Sequence, residues 1–362
     1  MLPKPFLTIK TAAGSCPVYV GSGILKDIHS LAFVRAASER AAIADATTAR
    51  LFAKKLNVSK TNETPNVIFT FPAGEKNKNL RTVSNALEFL ASHRLDRKSI
   101  IIGLGGGVVT DVAGLVASMY LRGVSWIAAP TTLLGMVDAA IGGKTGVDLK
   151  SGKNLAGSFW PPSAIVIDFE TLASLPRRER SGGFAEMIKI ALACDADFFE
   201  YLEKHGEALL TCEPKQCERA IRWSIQLKAG IVESDERDHG ARRILNLGHT
   251  TAHALEAATN YRKFHHGEAV AIGLRVACEA AVVRGTMDIS VKNRVVELLQ
   301  KVKLPFSWPH GVDIQKALEL TASDKKIINR KLTFILPAGI GGAEIVTLDP
   351  RELKNAIERS RV

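Results

Sequence analysis

The chain has 362 residues, of which 46% are hydrophobic and 23% charged, a composition typical of a globular protein with room for two domains. Lysine and arginine number 48 against 37 aspartate and glutamate residues, giving a formal net charge of +11 that fits nucleic acid, an anionic membrane or a small anionic substrate. Asp111, Arg122 and Asp138 interrupt the most apolar region, so we expect no membrane span. The first ten residues carry no hydrophobic run, which predicts no secretory signal. The five cysteines form no C-x-x-C pair and predict reduced thiols in a cytoplasmic protein.

Short β-rich runs alternate with helical stretches in the first half of the chain. The pattern predicts an opening hairpin, FLTIK and CPVYVGSGI, and then the strands RAAIADA, NVIFTF, SIIIGLG, WIAAP and AIVID. Helix-like segments lie between them, such as TTARLFAKKLN and LRTVSNALEFLASHRL. This alternation predicts a mostly parallel sheet that is covered by helices.

The pattern changes at about Pro176, where helical periodicity replaces the alternation. The predicted helices are AEMIKIALACDADFFEYLEKH, PKQCERAIRWSIQLKAGIVESD, TTAHALEAATN, GEAVAIGLRVACEAAVVRG and VKNRVVELLQKV. We therefore predict an α/β domain over residues 1–175 and an all-helical domain over residues 176–362. A ligand is expected in the crevice at the carboxyl ends of the strands.

The strongest local signal is the run SIIIGLGGGVVTDVAGLVASMY. Four glycines between positions 103 and 107 end a strand-like run, and Thr110 and Asp111 open a predicted helix. Glycines let the backbone approach a pyrophosphate, and a helix N-terminus offers unpaired N–H groups to it. Val108 stands where the G-x-G-x-x-G fingerprint has its last glycine. The run alone therefore indicates either nucleotide binding or a plain glycine-rich turn with Asp111 as a helix cap.

Two Gly-Lys segments follow, Gly143-Lys144 and Gly152-Lys153, with Asn154 beside the second. Neither matches the Walker pattern, so a P-loop NTPase is not expected. Lysines on glycine-rich loops are suited to phosphate or carboxylate, because an ammonium is a mobile point charge with three donors. The alternative is that these lysines are ordinary solvated side chains.

The helical half concentrates residues of metal-ligand type. His249 and His253 are one helical turn apart, and His265 and His266 follow within eighteen residues of His249. Two histidines with a distant carboxylate and one open position suit catalytic zinc. The pair lacks the internal glutamate of the zincin motif, which excludes that class of metalloprotease. The alternative is that these are core histidines with ordinary hydrogen bonds.

Further polar residues have helical spacing around this cluster. Glu186 and Lys189 share a helix face at i, i+3. Arg242 and Asn246 precede the first two histidines of the cluster at helical intervals, which predicts a polar stripe wherever that segment is helical. Lys228 falls on the apolar face of its helix, where a lysine either meets an anion or extends to the solvent. Together these positions predict a cationic pocket for a small polyanion.

On these motifs the sequence resembles the 3-dehydroquinate synthase family of the sugar-phosphate cyclase superfamily. Ten segments occur in the order of that family: PAGEKNK, GLGGGVVTDVAG, MYLRGV, PTTLLGMVDAAIGGKTGVD, GKNLAG, SLPRRE, GFAEMIK, DERDHGARRILNLGHTTAH, FHHGEAVAIG and SDKK. The resemblance implies a Rossmann-like N-terminal domain and a helical, metal-binding C-terminal domain, with NAD and Zn²⁺ (or Co²⁺) in the cleft.

The resemblance also implies three sets of site residues. Its metal ligands are Glu186, His249 and His266, with His265 as an extra imidazole. The NAD-binding set is Asp45, Ala73, Gly74, Glu75, Lys76, Asn77, Lys78, Gly106, Gly107, Val108, Val109, Thr110, Asp111, Thr131, Thr132, Asp138, Lys144, Lys153, Thr171, Leu172, Ala173 and Ser174. The catalytic and substrate-binding set is Arg122, Asp138, Lys144, Asn154, Lys189, Lys228, Arg242, Asn246, His253, Lys325 and Lys326. Thr110 departs from the family, many members of which have glycine there. Arg122 resembles the phosphate contact that the neighbouring subunit supplies, which implies a homodimer.

The implied reaction is that of a phosphorus–oxygen lyase. It turns 3-deoxy-D-arabino-heptulosonate 7-phosphate into 3-dehydroquinate and phosphate, the second step of the shikimate pathway to the aromatic amino acids. NAD oxidises the substrate transiently, phosphate leaves by β-elimination, the hydride returns, the ring opens and an intramolecular aldol closes the carbocycle. His253 and Asn246 are the candidates for assisting proton movement on the ring oxygens.

Three other functions share part of this pattern. Another sugar-phosphate cyclase, making a valiolone or inosose ring, would share the NAD and zinc motifs but differ in the substrate pocket. A metal-dependent alcohol dehydrogenase of the glycerol-phosphate type would accumulate NADH. A nucleic-acid-binding module is disfavoured, because aromatic residues make up only 6% of the chain and no nucleic-acid motif is present. The expected partner is therefore a small sugar-acid phosphate, with neither nucleic acid nor membrane.

Overall fold

The computed structural model describes residues 2–56, 66–238, 240–323, 327–328 and 331–361. The chain divides into two compact units. The first comprises Met1–Leu175 and Lys228–Arg237, and the second comprises Pro176–Leu227 and Asp238–Val362. In the part of the chain that is described, no helix has both the length and the apolar character needed to cross a membrane.

A seven-stranded sheet is the centre of the first unit. The strands of this unit are β1 (Leu7–Thr11), β2 (Gly14–Gly21), β3 (Arg40–Asp45), β4 (Asn66–Phe71), β5 (Ile100–Gly105), β6 (Ser125–Pro130), β7 (Lys144–Leu149), β8 (Gly152–Phe159) and β9 (Ala164–Asp168). The sheet order is β1-β2-β9-β6-β5-β3-β4, and all neighbours are parallel except the antiparallel pair β1–β2. Strands β5 and β9 are buried along their whole length, which explains their unbroken apolar sequences. The predicted opening hairpin and parallel sheet are confirmed.

The helices of the first unit are short. They are α1 (Ala32–Arg35), α2 (Ala46–Phe52), α3 (Leu80–Ser92) and α4 (Gly107–Met119), with 3₁₀ turns at Ile24–Ser30, Ala53–Leu56, Glu75–Asn77, Tyr120–Arg122 and Phe169–Ser174 and a π-helical turn at Gly135–Ala139. Asp45 and Asn79 start α2 and α3 as side-chain caps. Helix α4 has Gly106 as its N-cap, so Thr110 and Asp111 lie in its second turn. The prediction that Asp111 opens or caps this helix is therefore wrong.

The sequence suggests that the two Gly-Lys segments are loops, but both of their lysines lie in strands. Strands β7 and β8 form a separate antiparallel hairpin that contains both Lys144 and Lys153. A Cβ on Gly157 would lie 2.1 Å from the carbonyl oxygen of Thr145, so the close pairing of the two strands requires glycine there. The glycine content that indicated a loop is what lets the strands approach.

The second unit is mainly helical, whereas the sequence predicted an all-helical domain. Its helices are α5 (Arg177–Cys194), α6 (Ala196–Leu210), α7 (Pro214–Ser234), α8 (His249–Ala258), α9 (His266–Arg284), α10 (Ile289–Lys301), α11 (Ile314–Ser323) and α12 (Pro350–Arg359), and the last part of α7 is grouped with the first unit. The unit also contains an antiparallel sheet that the sequence analysis did not predict. Its strands are β10 (Ile327–Ile328), β11 (Lys331–Pro337) and β12 (Ala343–Leu348).

Two helical predictions in this unit need correction. The segment AEMIKIALACDADFFEYLEKH is two helices, because Asp195 has extended backbone angles and its carboxylate accepts the Phe198 N–H at 2.9 Å as the cap of α6. Arg242 and Asn246 lie in the 3₁₀ turn Ala241–Asn246, which ends before α8 begins. The predicted helical stripe is therefore interrupted.

Candidate metal centre and nucleotide site

Pairs of glycines bring the backbones of three elements into contact around α9. A Cβ on Gly267 of α9 would lie 2.1 Å from the carbonyl oxygen of Gly182 on α5. One turn and a half further on, a Cβ on Gly273 would lie 2.1 Å from the carbonyl oxygen of Gly248, which precedes α8 with a φ of 77°. Only glycine allows such approaches, and they fix the three helices that carry the predicted metal ligands.

Those ligands meet at one carboxylate oxygen. Oε1 of Glu186 lies 3.7 Å from Nε2 of His249 and 3.6 Å from Nε2 of His266. One ligand atom from each of the three residues lies within 4.8 Å of the others. Both N···O separations are too long for hydrogen bonds. They are close to the roughly 3.3–3.6 Å that separates ligands of a tetrahedral Zn²⁺ with metal–ligand bonds of about 2.0–2.2 Å.

The surroundings of Glu186 also suit a cation. The residue is 2% exposed, and its Oε1, the oxygen that faces the histidines, accepts no hydrogen bond among the described residues. The ammonium of Lys189 lies 2.5 Å from Oε2. The second carboxylate oxygen is therefore held by an ion pair, and Oε1 is the one that faces the histidines. A buried carboxylate facing two imidazole nitrogens fits a divalent metal ion.

Each histidine is oriented by a partner at its other nitrogen. Nδ1 of His249 lies 3.2 Å from the carbonyl oxygen of Leu247, and Nδ1 of His266 lies 3.5 Å from Oε2 of Glu256. A proton held at Nδ1 of His249 by the Leu247 carbonyl leaves the Nε2 lone pair of that ring for a metal ion, whereas His266 has only the charge of the buried Glu256 carboxylate near its Nδ1. Glu256 is 1% exposed and was missed at the sequence level, although its position three residues after His253 was a usable signal.

The neighbouring His265 has a different role. It is exposed, its Nδ1 lies 2.7 Å from Glu179, and its backbone N–H donates to Glu268 at 2.9 Å at the start of α9. Burial raises the pKa of Glu268, but hydrogen bonds from Arg178 and the His265 backbone outweigh it and lower the pKa overall. His266, not His265, is thus the histidine that faces Glu186.

The other predicted residues of the second unit lie at different distances from this centre. The ring of His253 is 5.6 Å from that of His249 and 6.0 Å from that of His266. His253, Glu256 and His266 form a second, overlapping group of metal-ligand type. Arg242 is 3% exposed. Lys325 and Lys326 lie outside the described residues.

In the first unit, the predicted NAD-binding segments share one edge of the sheet. Asp45 ends β3, and the segments at 73–78, 106–111, 131–132 and 171–174 follow β4, β5, β6 and β9. These five strands are parallel, so all the segments lie at their carboxyl ends. The chain runs from β3 outward to β4 and then returns to β5 on the other side of β3. Such a reversal of strand order is where open α/β sheets bind their ligands.

The glycine-rich turn at this edge fits a phosphate group. A Cβ on Gly106 would lie 2.9 Å from Cγ2 of Thr132, and one on Gly107 would lie 3.2 Å from Cβ of Ala139. Gly106, the N-cap of the thirteen-residue helix α4, has no side chain with which to cap it. Thr110 is buried and donates to the carbonyl oxygen of Gly107 at 3.1 Å, so its side chain packs back along the helix. The turn therefore offers backbone N–H groups and a helix dipole to an anion.

Two predicted NAD-binding residues bind each other beneath this turn. Nζ of Lys78 lies 2.5 Å from Oδ2 of Asp111 and 2.5 Å from Oδ1 of Asn154. Burial lowers the pKa of Lys78, but the carboxylates of Asp111 and Glu75 more than offset it, so the pKa is raised. Burial raises the pKa of Asp111, and the ammonium opposes this rise. The pair joins the end of the segment after β4 to α4.

The remaining predicted residues of this unit divide into buried and exposed groups. Lys228 is 6% exposed and donates to Oδ1 of Asp138 at 2.6 Å and to its carbonyl oxygen at 2.7 Å, so it points inward and meets an anion. Lys144 is exposed, and Lys153 lies 3.3 Å from Glu75. Asp45 accepts the N–H groups that follow it as the cap of α2.

Arg122 lies on the surface in an unusual backbone conformation. Leu121 and Arg122 have φ values of 48° and 67°, in the left-handed region that L side chains rarely adopt. Three large apolar side chains nearby are exposed: Met119 (49%), Leu121 (39%) and Phe159 (42%). A hydrogen bond of 2.9 Å between Ser118 and Ser158, the residues before Met119 and Phe159, brings two of them together. Arg122 therefore lies beside exposed apolar side chains.

Comparison with solved structures places this fold, with its glycine-rich turn and its Glu-His-His centre, in the class of the sugar-phosphate cyclases. The chain is similar to 2-epi-5-epi-valiolone synthase from Streptomyces hygroscopicus subsp. jinggangensis with NAD⁺ and Zn²⁺ bound (30% identity, 95% and 96% of the two chains covered, TM-score 0.87). It is also similar to 2-deoxy-scyllo-inosose synthase complexed with carbaglucose-6-phosphate, NAD⁺ and Co²⁺ (26% identity, 98% and 99% covered, TM-score 0.88).

The family follows from the sequence comparisons. The 3-dehydroquinate synthase N-terminal family model matches residues 68–182, and the C-terminal model matches residues 183–327. The chain is 41% identical over 342 residues to a 3-dehydroquinate synthase of Dichelobacter nodosus. The match covers 94% of this chain and 92% of the relative. The chain belongs to the 3-dehydroquinate synthase family.

Proposed function

We propose that the protein converts 3-deoxy-D-arabino-heptulosonate 7-phosphate into 3-dehydroquinate and phosphate, the second step of the shikimate pathway, with NAD and Zn²⁺ or Co²⁺. The observation that carries the proposal is the convergence of Glu186, His249 and His266 in a chain of this family. Relatives that are named 3-dehydroquinate synthase match this chain over nearly their whole length. The similar cyclase structures contain the same two kinds of cofactor.

In the second unit, Glu186, His249 and His266 hold the metal ion, which when bound acts as a Lewis acid on a substrate oxygen. Lys189 forms an ion pair with Glu186 and places a positive charge beside the centre for an anionic oxygen of the substrate. His253, whose ring is within 6.0 Å of that of His266, assists proton movement on the ring oxygens together with Asn246. Arg242 supplies a buried positive charge for the substrate's anionic groups.

In the first unit, the turn at Gly106 and Gly107 would hold the pyrophosphate of NAD, which when bound would supply a reversible hydride acceptor. Asp45 and the other segments at the carboxyl edge of the sheet hold the remainder of the dinucleotide. Lys144, Lys228 and Asn154 bind substrate oxygens. Lys78 and Asp111 support the turn from beneath through their ion pair. Functionally, residues 1–175 form the NAD-binding domain and residues 176–362 form the metal- and substrate-binding domain. Lys228 belongs to the second of these ranges but is grouped with the first structural unit.

Elimination of phosphate needs little acid–base chemistry from the protein. The departing phosphate can remove the neighbouring proton itself, so the role of the lysines is to orient the phosphate and stabilise its charge. Two lysines of the proposed substrate set, Lys325 and Lys326, lie outside the described residues. A cytoplasmic location accords with five cysteines that form no disulfide.

The proposed assembly is a homodimer in which Arg122 binds the phosphate in the partner's site. The exposed apolar residues Met119, Leu121 and Phe159 beside it support a contact surface there. Mixing inactive R122A and H266A subunits tests this directly. If Arg122 acts across a two-fold interface, random exchange restores about a quarter of the wild-type activity. Continued inactivity of a mixture shown by mass spectrometry to contain mixed dimers would contradict it.

The reaction is tested by phosphate release from the heptulosonate phosphate with catalytic NAD, with and without a chelator. We expect many turnovers per NAD, loss with the chelator and recovery with Zn²⁺ or Co²⁺. H266A should lose metal and activity, whereas the matched variant H265A, at the exposed adjacent histidine, should retain both. Stoichiometric NADH would indicate a dehydrogenase instead. Turnover of another sugar phosphate in preference to the heptulosonate would indicate a different cyclase.

A further inference from the structure

Two cysteines outside the proposed active site form a contacting pair at the turn between α6 and α7. Cys212 follows the end of α6, and Cys217 lies in the first turn of α7. Their side chains are in hydrogen-bonding contact with each other, Sγ of Cys217 also lies 3.8 Å from the carbonyl oxygen of Leu209, and neither cysteine is in a disulfide. Cys212 is partly exposed between the exposed residues Thr211 and Glu213, whereas Cys217 is only 3% exposed. A small solute can therefore reach one sulfur while the other waits beside it.

The turn holds Cys212 in a fixed position. Its φ of 61° is left-handed, and the backbone N–H groups of Cys212 and Glu213 donate to the carbonyl oxygens of Leu209 and Ala208 at 3.2 and 2.9 Å. The N–H of Cys217 in turn donates to the carbonyl oxygen of Glu213 at 2.9 Å. The two cysteines are thus held next to each other by the backbone on both sides of the turn.

A guanidinium completes the arrangement. Nη1 of Arg180, in the first turn of α5, donates to Sγ of Cys212 at 3.0 Å. The hydrogen bond from Cys217 and the charge of Arg180 lower the pKa of Cys212 to about 6, although burial opposes this. The hydrogen bond to Cys212 and burial raise the pKa of Cys217. Cys212 therefore has the lower pKa of the two thiols and Cys217 the higher, an arrangement typical of a reactive cysteine and its resolving partner.

The other cysteines do not share these features. Burial raises the pKa values of Cys16 and Cys278 to about 12 and that of Cys194 to about 11. Thiols of this kind are inert toward oxidants at neutral pH. The contrast within one chain makes Cys194, which is partly exposed like Cys212, a matched internal control.

We propose that Cys212 is a peroxide-reactive site and that Cys217 resolves its oxidised form to a reversible intramolecular disulfide. The Cys212 thiolate attacks one oxygen of hydrogen peroxide, the O–O bond breaks, and sulfenic acid and hydroxide form. The Cys217 thiol then attacks the sulfenic sulfur, the S–O bond breaks, and water leaves with the thiol proton. A dithiol restores both thiols. The modification removes the negative charge beside Arg180, at the start of the helix that carries Glu186.

The chain offers a direct assay because Lys215 lies between the two cysteines, so trypsin separates them. After peroxide treatment of the reduced full-length protein and alkylation, we expect a non-reduced digest to contain these two peptides joined, and dithiothreitol to separate them. C217S should stop at a sulfenic acid on Cys212 that dimedone traps, and C212S should leave Cys217 unmodified. Oxidation of Cys194 at the same rate, or no linked peptide in the folded wild type, would overturn the proposal.

The part played by Arg180 is tested separately by the pH dependence of Cys212 alkylation. The rate in the wild type should have its midpoint near pH 6. R180Q should move the midpoint up by about one pH unit or more, since the guanidinium no longer stabilises the thiolate. R177Q, at an exposed arginine in the same helix, should leave it unchanged. An unmoved midpoint in folded R180Q would show that Arg180 does not activate Cys212.

Discussion

Substituting Gly267 by alanine should separate two helices that carry metal ligands. The new Cβ would lie 2.1 Å from the carbonyl oxygen and 2.4 Å from Cα of Gly182, whereas ordinary van der Waals contact begins at 3.4 Å. Both neighbours are backbone atoms, so no side chain can rotate out of the way. Helices α5 and α9 must therefore move apart by about 1 Å, since a close-packed interior has no free volume to absorb the methyl group.

This displacement acts directly on the metal centre. Glu186 is one turn along α5 from Gly182, and His266 is adjacent to Gly267. Metal sites tolerate errors of only about 0.2 Å in ligand position. We therefore expect G267A to bind Zn²⁺ about 100-fold more weakly. Overpacking should also lower the free energy of unfolding by about 1–3 kcal/mol. Competition with a chromophoric chelator measures the first quantity, and urea unfolding of the metal-free protein measures the second.

Gly230 provides the matched control. It lies within α7, and a Cβ there would have no atom within 4 Å. G230A should bind metal normally and gain up to about 1 kcal/mol of stability, because alanine favours the helix over glycine. A folded G267A protein with wild-type zinc affinity would refute the reasoning, since the glycine contact would then not set the position of the ligands.

Two further variants test the polar contacts. E256Q should weaken Zn²⁺ binding about 10- to 100-fold in the chelator competition, because a neutral amide orients His266 less strongly than the carboxylate does. Unchanged affinity would exclude a role of Glu256 in positioning His266. K78M and D111N should each destabilise the protein by about 3–5 kcal/mol in urea unfolding, since each removes the ion-pair partner of a charge that is largely shielded from solvent, and the double variant should recover most of the loss. Burial raises the pKa of Asp111, so the deficit of K78M should shrink as the pH falls and the carboxylate takes up a proton; a deficit that grew on acidification would contradict this.

The sheet of the first unit was predictable because its strands are buried on both faces. Segments such as Ile100–Gly105 therefore appear as unbroken apolar runs, and the order of β and α elements identifies a parallel sheet. The β7–β8 hairpin and the small sheet of the second unit were not predictable in the same way. The strand Gly152–Phe159 is half-exposed and contains glycines, so it has neither an apolar run nor a clean alternation.

The candidate metal centre illustrates the limit more sharply. Helical spacing correctly pairs His249 with His253, but the contacts of the centre join His249 to Glu186 and His266, which come from different helices. Spacing predicts residues that share one helix face, and it contains no information about which faces meet. The resemblance to the family supplied that information, and the geometry of the three side chains agrees with it.

The glycines explain why local rules miss such a centre. In the sequence, Gly182, Gly248, Gly267 and Gly273 each look like ordinary punctuation of a helix, and propensity alone makes them unfavourable inside one. In the structure they form two pairs in which one backbone lies where a side chain would otherwise be. The cost in local propensity is thus compensated by a close approach that only a tertiary contact reveals. Glycines that are unfavourable in their own helices are therefore informative candidates for the contacts that position a catalytic centre.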